Sequence, residues 1–429
     1  MKNKRFHECP IINSTPETAT HFFGFHDLCP WDKSNQKLLV HRIKNPGLMH
    51  IPTHQDIAEV CWWDTKTGEI NAFDETTAWN WHQGSRLQWL PHTNDKVLYN
   101  KQIDGKLVGI IKNLTTSVEQ ILPFTCYAIS SDGRYGISPN FGRLHQYYST
   151  YGYDGIATGS EPELLPANDG IFLIDLVNYQ AKLLLPLAEI AALGNYQTAP
   201  NTPHFVTHPV FNPSGTRFSF FHRFFLQDGA LYSRFMVADI NGSNLAIIAE
   251  EKVSHFDWYN DDTLLVWTRY LPKKLAESRR IGILAKSTMK SIIRLIRKLQ
   301  PHLKQTLWHE AYFQISLNDI ENPKALATGL LEQDGHPMFS QDRKWLLTDT
   351  YPNPKDQCRS LILFDYKKRV RYDIKRLYSP LPFQIQGISC DLHPRWNHSG
   401  TQVCVDSTHT GSRQIHVIDV SSLTGKVNQ

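Results

Sequence analysis

A chain of 429 residues, 41% of them hydrophobic, can bury a large core, either as two or three ordinary domains or as one all-β domain. Its 45 basic and 41 acidic residues nearly balance, which removes the general positive field expected of a nucleic-acid binder. Seven cysteines, odd in number, far apart and without a C-x-x-C pair, argue against a disulfide framework or a zinc ribbon and fit a reducing compartment.

The chain opens on basic residues, MKNKRF, but no apolar run of signal-peptide length follows, so the expected location is cytoplasmic. Nor is there a stretch of about 18 uninterrupted apolar residues that could span a bilayer. A polar turn followed by an alternating strand comes first at WDKSNQKLLV (31–40). It returns at PHTNDKVLY (91–99), SSDGRYGIS (130–138), NPSGTRFSF (212–220), YNDDTLLVW (259–267), SQDRKWLLT (340–348) and NHSGTQVCV (397–405). Each copy precedes a second hairpin signal, such as VCWWDTKTGEI or IHVIDVSSLTGKV. Strand, turn, strand, loop, strand, turn, strand is a four-stranded antiparallel blade, and seven blades of about 60 residues use up the chain. The predicted fold is all-β, one seven-bladed β-propeller over 1–429, closed by an N-terminal segment that pairs with the last blade.

Two upstream stretches carry more chemistry than blades need. WNWHQGSRLQW (79–89) sets His82, Gln83 and Arg86 among tryptophans, and NFGRLHQYYSTYGYDG (140–155) holds Arg143, His145, Tyr151 and Tyr153 in a stretch too irregular for a strand. Aromatic faces suit pyranose rings and a guanidinium suits a carboxylate, so Arg86, His145 and Tyr151 are candidate contacts to a sugar acid. The competing reading is a packed inter-blade loop. Downstream, His208 (THPVF), His255 (SHFDW), His336 (GHPMF) and His393 (LHPRW) hold equivalent places in four consecutive blades. The repeat itself should turn these imidazoles toward one axis, where they suit a metal or proton transfer.

Between the strands of the fifth blade lies an insertion, 273–305. Within it ten basic residues and one acid give residues 273–304 a charge of +9, leaving −5 on the remainder. STMKSIIRLIRKLQPHLK places Met289, Ile292, Ile293, Ile296 and Leu299 at helical spacing opposite Lys290, Arg294, Arg297 and Lys298. One reading docks this amphipathic helix on the propeller rim. The other lays 286–300 on an anionic membrane, at the inner face of a bacterial membrane.

From about Thr207 to Gly411 the chain resembles the β-propeller polysaccharide lyases, oligogalacturonate lyase in particular and the ulvan lyases more distantly. The resemblance rests on HPVFNPSGTRFSFFHR, VADINGSNLAII, SHFDWYNDDTLLVW, GHPMFSQDRKWLLTD and HPRWNHSGTQVCVDSTHTG, in the family's order. It implies β-elimination on a uronate-containing oligosaccharide or polysaccharide, with His208 as the base and His255 as a metal ligand. The family's Gln-x-x-His-x-His run reads ISCDLHP here, so His393 matches, while Asp391 takes a histidine's place and Ile388 the glutamine's. The implied metal set is therefore His255, His336, His393 and Asp391, around a divalent ion: Mn, Zn or Ca. Arg143 or that ion would neutralise the substrate carboxylate, and His82 or Tyr153 would protonate the leaving oxygen. Two competing readings are a non-catalytic propeller that binds a glycan or a protein, and an enzyme of bacterial polysaccharide biosynthesis such as an epimerase.

Overall fold

The computed structural model describes residues 3–45, 47–155, 163–194, 202–226, 229–270 and 309–425. The basic insertion, and with it the expected helix and the membrane contact at 286–300, lies outside the described residues. Seven antiparallel sheets follow one another along the chain, at 20–76, 88–121, 128–186, 204–251, 253–325, 338–378 and 395–419. This is the seven-bladed β-propeller that the repeat predicts. The fourth blade shows the pattern: β15 (His204–Phe211) innermost, then β16 (Arg217–Phe225), β17 (Leu231–Asp239) and β18 (Ala246–Glu251), each paired antiparallel with the next.

The recurrent turn has a physical cause. Its fourth residue adopts a left-handed conformation in five blades, at Asn35, Gly133, Gly215, Arg343 and Gly400. There its amide donates back to the first residue's carbonyl, as from Gly215 to Asn212 at 2.9 Å. Glycine takes this conformation without a Cβ clash, which explains why three of the five copies carry it. Blades are joined by large apolar side chains: Phe221 and Phe235 of the fourth blade meet Phe256 of the fifth at ring distances of 5.5 and 4.5 Å.

Closure uses the N-terminus twice. β2 (Ile11–Ser14) pairs antiparallel with β29 (Gln414–Asp419) as the outer strand of the last blade. Ahead of it, β1 (Lys4–Phe6) adds a parallel fifth strand to β26 (Val370–Tyr378) of the sixth blade, a pairing that the repeat did not suggest. The stretch expected to be irregular contains a helix, α1 (Phe141–Tyr148), capped by the Asn140 side chain, which accepts from the amides of Gly142 and Arg143. All seven cysteines are free thiols. No helix among the described residues is long and apolar enough to cross a membrane.

Candidate functional site: a histidine nest at the channel axis

The recurrent histidines stand where strand pairing fails. In β15 the register shifts between Thr207 and Val210, and His208 takes a left-handed φ of 55°. In β19 (Val253–Asn260) the shift spans His255. His336 and His393 lie just ahead of two-residue inner strands, Met338–Phe339 and Arg395–Trp396, and His393 also has a positive φ, 40°. A residue outside the ladder can turn its ring to the axis, and the proline that follows His208, His336 and His393 forfeits no ladder bond. Left-handed histidines ahead of proline are uncommon, and backbone strain of this sort collects at functional sites.

Ring centroids lie 4.2 Å apart for His255 and His336 and 4.4 Å for His336 and His393. Phe25 occupies the hub, with His208 at 4.9 Å, His393 at 5.0 Å, His336 at 6.0 Å and His255 at 6.5 Å. A further imidazole, His26, stands 5.3 Å from His336 and is fully enclosed, its Nδ1 without a partner. It escaped the repeat because it lies six residues before its turn residue, Asp32, whereas His208, His336 and His393 lie four before theirs. His82 arrives from the segment that joins the first and second blades, its ring 6.5 Å from His393 and 5.1 Å from Tyr151. Tyr151 in turn stands 5.0 Å from His208, so one phenol bridges His82 and His208.

Among the described residues, His82, Asp391 and His393 form a group of metal-ligand type, each offering one atom within 4.8 Å of the others. This group includes His82 and leaves out His255 and His336, which the resemblance implies as ligands. Those two have their Nδ1 atoms held by carboxylates, His255 by Asp334 at 2.9 Å and His336 by Asp349 at 2.8 Å. Such a carboxylate orients an imidazole and fixes its tautomer. The three-residue group fits a divalent ion on its own chemistry, because His82 Nε2, His393 Nε2 and Asp391 Oδ1 are buried without a hydrogen bond. Arg359 Nη1 lies 2.7 Å from Asp391 Oδ1, too far off line for a hydrogen bond, and competes for that carboxylate.

Burial sets the proton inventory. It pushes His208, His26 and His393 well below the ordinary histidine value and His82 down to about 4, so these rings are neutral donors of a lone pair. Burial also opposes the cationic form of His336, but the Asp349 charge and hydrogen bond outweigh it, and its value is raised. For Asp391, burial would raise the carboxyl, yet Arg359 and the surrounding imidazoles hold it well below the usual carboxylate range.

Other residues singled out from sequence are engaged by neighbouring protein groups. Arg143 projects from α1, and its guanidinium is consumed by three backbone carbonyls, of His204 (3.0 Å), Glu163 (2.8 Å) and Leu164 (2.7 Å). Arg86 is 0% exposed, grips Asp27 with both terminal nitrogens (2.9 and 2.8 Å) and gives its Nε to the Tyr127 carbonyl at 2.9 Å. Tyr153 stacks on Phe141 at 4.1 Å and donates its hydroxyl to the Gly84 carbonyl at 3.2 Å. His145 faces Asp154 at 3.6 Å, a carboxylate also held by His54 near the surface. Breaking the Arg86 pair strands a buried charge, so Arg86→Ala is expected to cost about 3–5 kcal/mol in denaturant titrations. A variant with unchanged stability and a selective rise in KM would restore Arg86 to substrate binding.

No family model matches the chain, and no curated protein sequence does either. Its structure is similar to an oligogalacturonate lyase in complex with manganese, with a TM-score of 0.60 at 14% identity over 96% of this chain and 98% of the other. It is likewise similar to an oligogalacturonate lyase from Vibrio parahaemolyticus, with a TM-score of 0.57 at 11% identity over 96% and 98% of the two chains. At such identities the likeness establishes a shared seven-bladed fold from end to end.

Proposed function

We propose that this protein is a lyase that cleaves a uronate-containing oligosaccharide by β-elimination. The observation that carries the reading is His208: a buried, neutral imidazole at the channel axis, whose Nδ1 has no protein partner and whose ring neighbour, Tyr151, also touches the His82–Asp391–His393 group. The shared fold with two oligogalacturonate lyases, one of them in complex with manganese, supports the same reading.

Elimination begins with loss of the proton next to the sugar carboxylate. In water that proton is held too firmly, so the site must bind the carboxylate's growing charge more tightly than its resting charge. His208, neutral at ordinary pH, accepts the proton. Tyr151 serves as the acid that protonates the departing oxygen: burial drives its phenol further up, so it keeps its proton until the leaving group takes it. His82, Asp391 and His393 would hold a divalent ion, which would supply positive charge to the carboxylate. Asp334 and Asp349 keep the His255 and His336 rings turned into the nest.

Incubation with galacturonate oligomers and a divalent ion tests the reading through the ultraviolet absorbance of an unsaturated uronate product. Product should form, and calorimetric titration with manganese should show one binding event that weakens roughly 10–100-fold in His393→Ala. Oligomer binding without any product would leave a non-catalytic glycan-binding propeller instead.

A further inference from the structure

Eight arginines are buried among the described residues, and seven of them have obvious employment. Arg86, Arg359, Arg371 and Arg395 face the carboxylates of Asp27, Asp391, Asp373 and Asp406. Arg143, Arg234 and Arg413 donate to backbone carbonyls. The eighth, Arg223, is 8% exposed, its side chain has no hydrogen bond or salt bridge among the described residues, and its buried Nε is without a partner. A buried cation with no counter-charge is costly, and folds seldom retain one without use for it.

Its surroundings indicate that use. Arg223 lies on β16, next to the inner strand that carries His208, and its guanidinium lies over the rings of Phe221 at 4.6 Å and Tyr148 at 5.6 Å. From there the contacts run in a closed circuit: Tyr148 to Tyr151 at 5.1 Å, Tyr151 to His208 at 5.0 Å, and His208 to Phe221 at 5.8 Å. The charge is close enough that, after burial, it is the strongest influence holding His208 neutral. Two aromatic faces fix the plane of a guanidinium and leave its N–H edge for a planar anion, which a carboxylate meets with two parallel hydrogen bonds.

We propose that Arg223 receives the substrate's free carboxylate beside His208, which makes the protein selective for un-esterified uronate over its methyl ester. The proposal rests on the lyase reading for its substrate class, and on the unpaired arginine for its site. An esterified sugar offers neither the charge nor the bidentate edge, so it cannot offset the buried cation.

Calorimetry on the full chain in a His208→Ala background, which spares the ligand, compares trigalacturonate with its methyl ester. The expected result is tighter binding of the free acid, a loss of about 10–100-fold for that ligand in Arg223→Met, little change for the ester, and partial recovery in Arg223→Lys. The melting temperature of Arg223→Met should hold or rise, because an unpaired buried charge is removed. Equal weakening of acid and ester, unaltered binding of the acid, a wild-type chain that binds neither ligand, or a fall in melting temperature would each overturn the assignment. Should wild type bind the acid through Arg223 yet form no unsaturated product, the carboxylate subsite stands and the lyase reading falls. Should wild type turn over while Arg223→Met matches it in binding and rate, the reverse holds.

Discussion

His208→Ala is expected to lower kcat/KM on galacturonate oligomers by about 10²–10⁴-fold, the usual worth of a positioned proton acceptor. The far-ultraviolet spectrum should remain that of the wild type, because the ring's buried Nδ1 makes no hydrogen bond and the residue lies outside the blade's ladder. The pH profile gives a second handle on the same residue. A base must be unprotonated to act, and burial followed by the Arg223 charge sets His208 well below its ordinary 6.5. The acid limb of kcat/KM should therefore fall below pH 6.5, with activity retained through neutrality. A limb above that pH, or a His208→Ala enzyme within a few fold of wild type, would assign the base to another group.

Asp406→Ala is expected to cost about 3–5 kcal/mol of stability. Asp406 sits on the second strand of the last blade, where its carboxylate binds Arg395 Nη2 at 2.7 Å and accepts the amides of Phe23 and Gly24 at 3.3 Å. Arg395 is 0% exposed and completes the knot through Nη1 on the Gly24 carbonyl at 2.9 Å. This knot ties the last blade to the segment that delivers Phe25 and His26 to the channel. Truncation removes three acceptor contacts and leaves a buried guanidinium with a single carbonyl. Urea titration should show a lower midpoint, and the double variant Asp406→Leu with Arg395→Met should recover much of the loss. A cost below about 1 kcal/mol would mean that water reaches Arg395 and that the knot is dispensable.

Blade number was legible because a blade is declared locally. A polar turn followed by alternating apolar residues is written within ten residues, and the chain writes it seven times, five of them with a left-handed fourth residue. The convergence of His255, His336 and His393 was legible for a related reason: equal offsets from equivalent turns imply equal places around one axis. What sequence could not assign was which polar side chain would be left without a partner. Arg143, Arg86 and Tyr153 have the right chemistry for a sugar acid, but carbonyls and a carboxylate from other parts of the chain reach them first. Arg223 stood unremarked within a strand because nothing in its neighbourhood of sequence says that no acid will arrive. His26 lay at a stretched offset, and His82 meets Asp391 only because the ring closes. Periodicity is a property of neighbours in the chain, so it determined the blades and aimed the histidines. Pairing and burial are properties of neighbours in space, so only the closed propeller decided which imidazoles form the candidate metal group and which arginine is left unpaired beside His208.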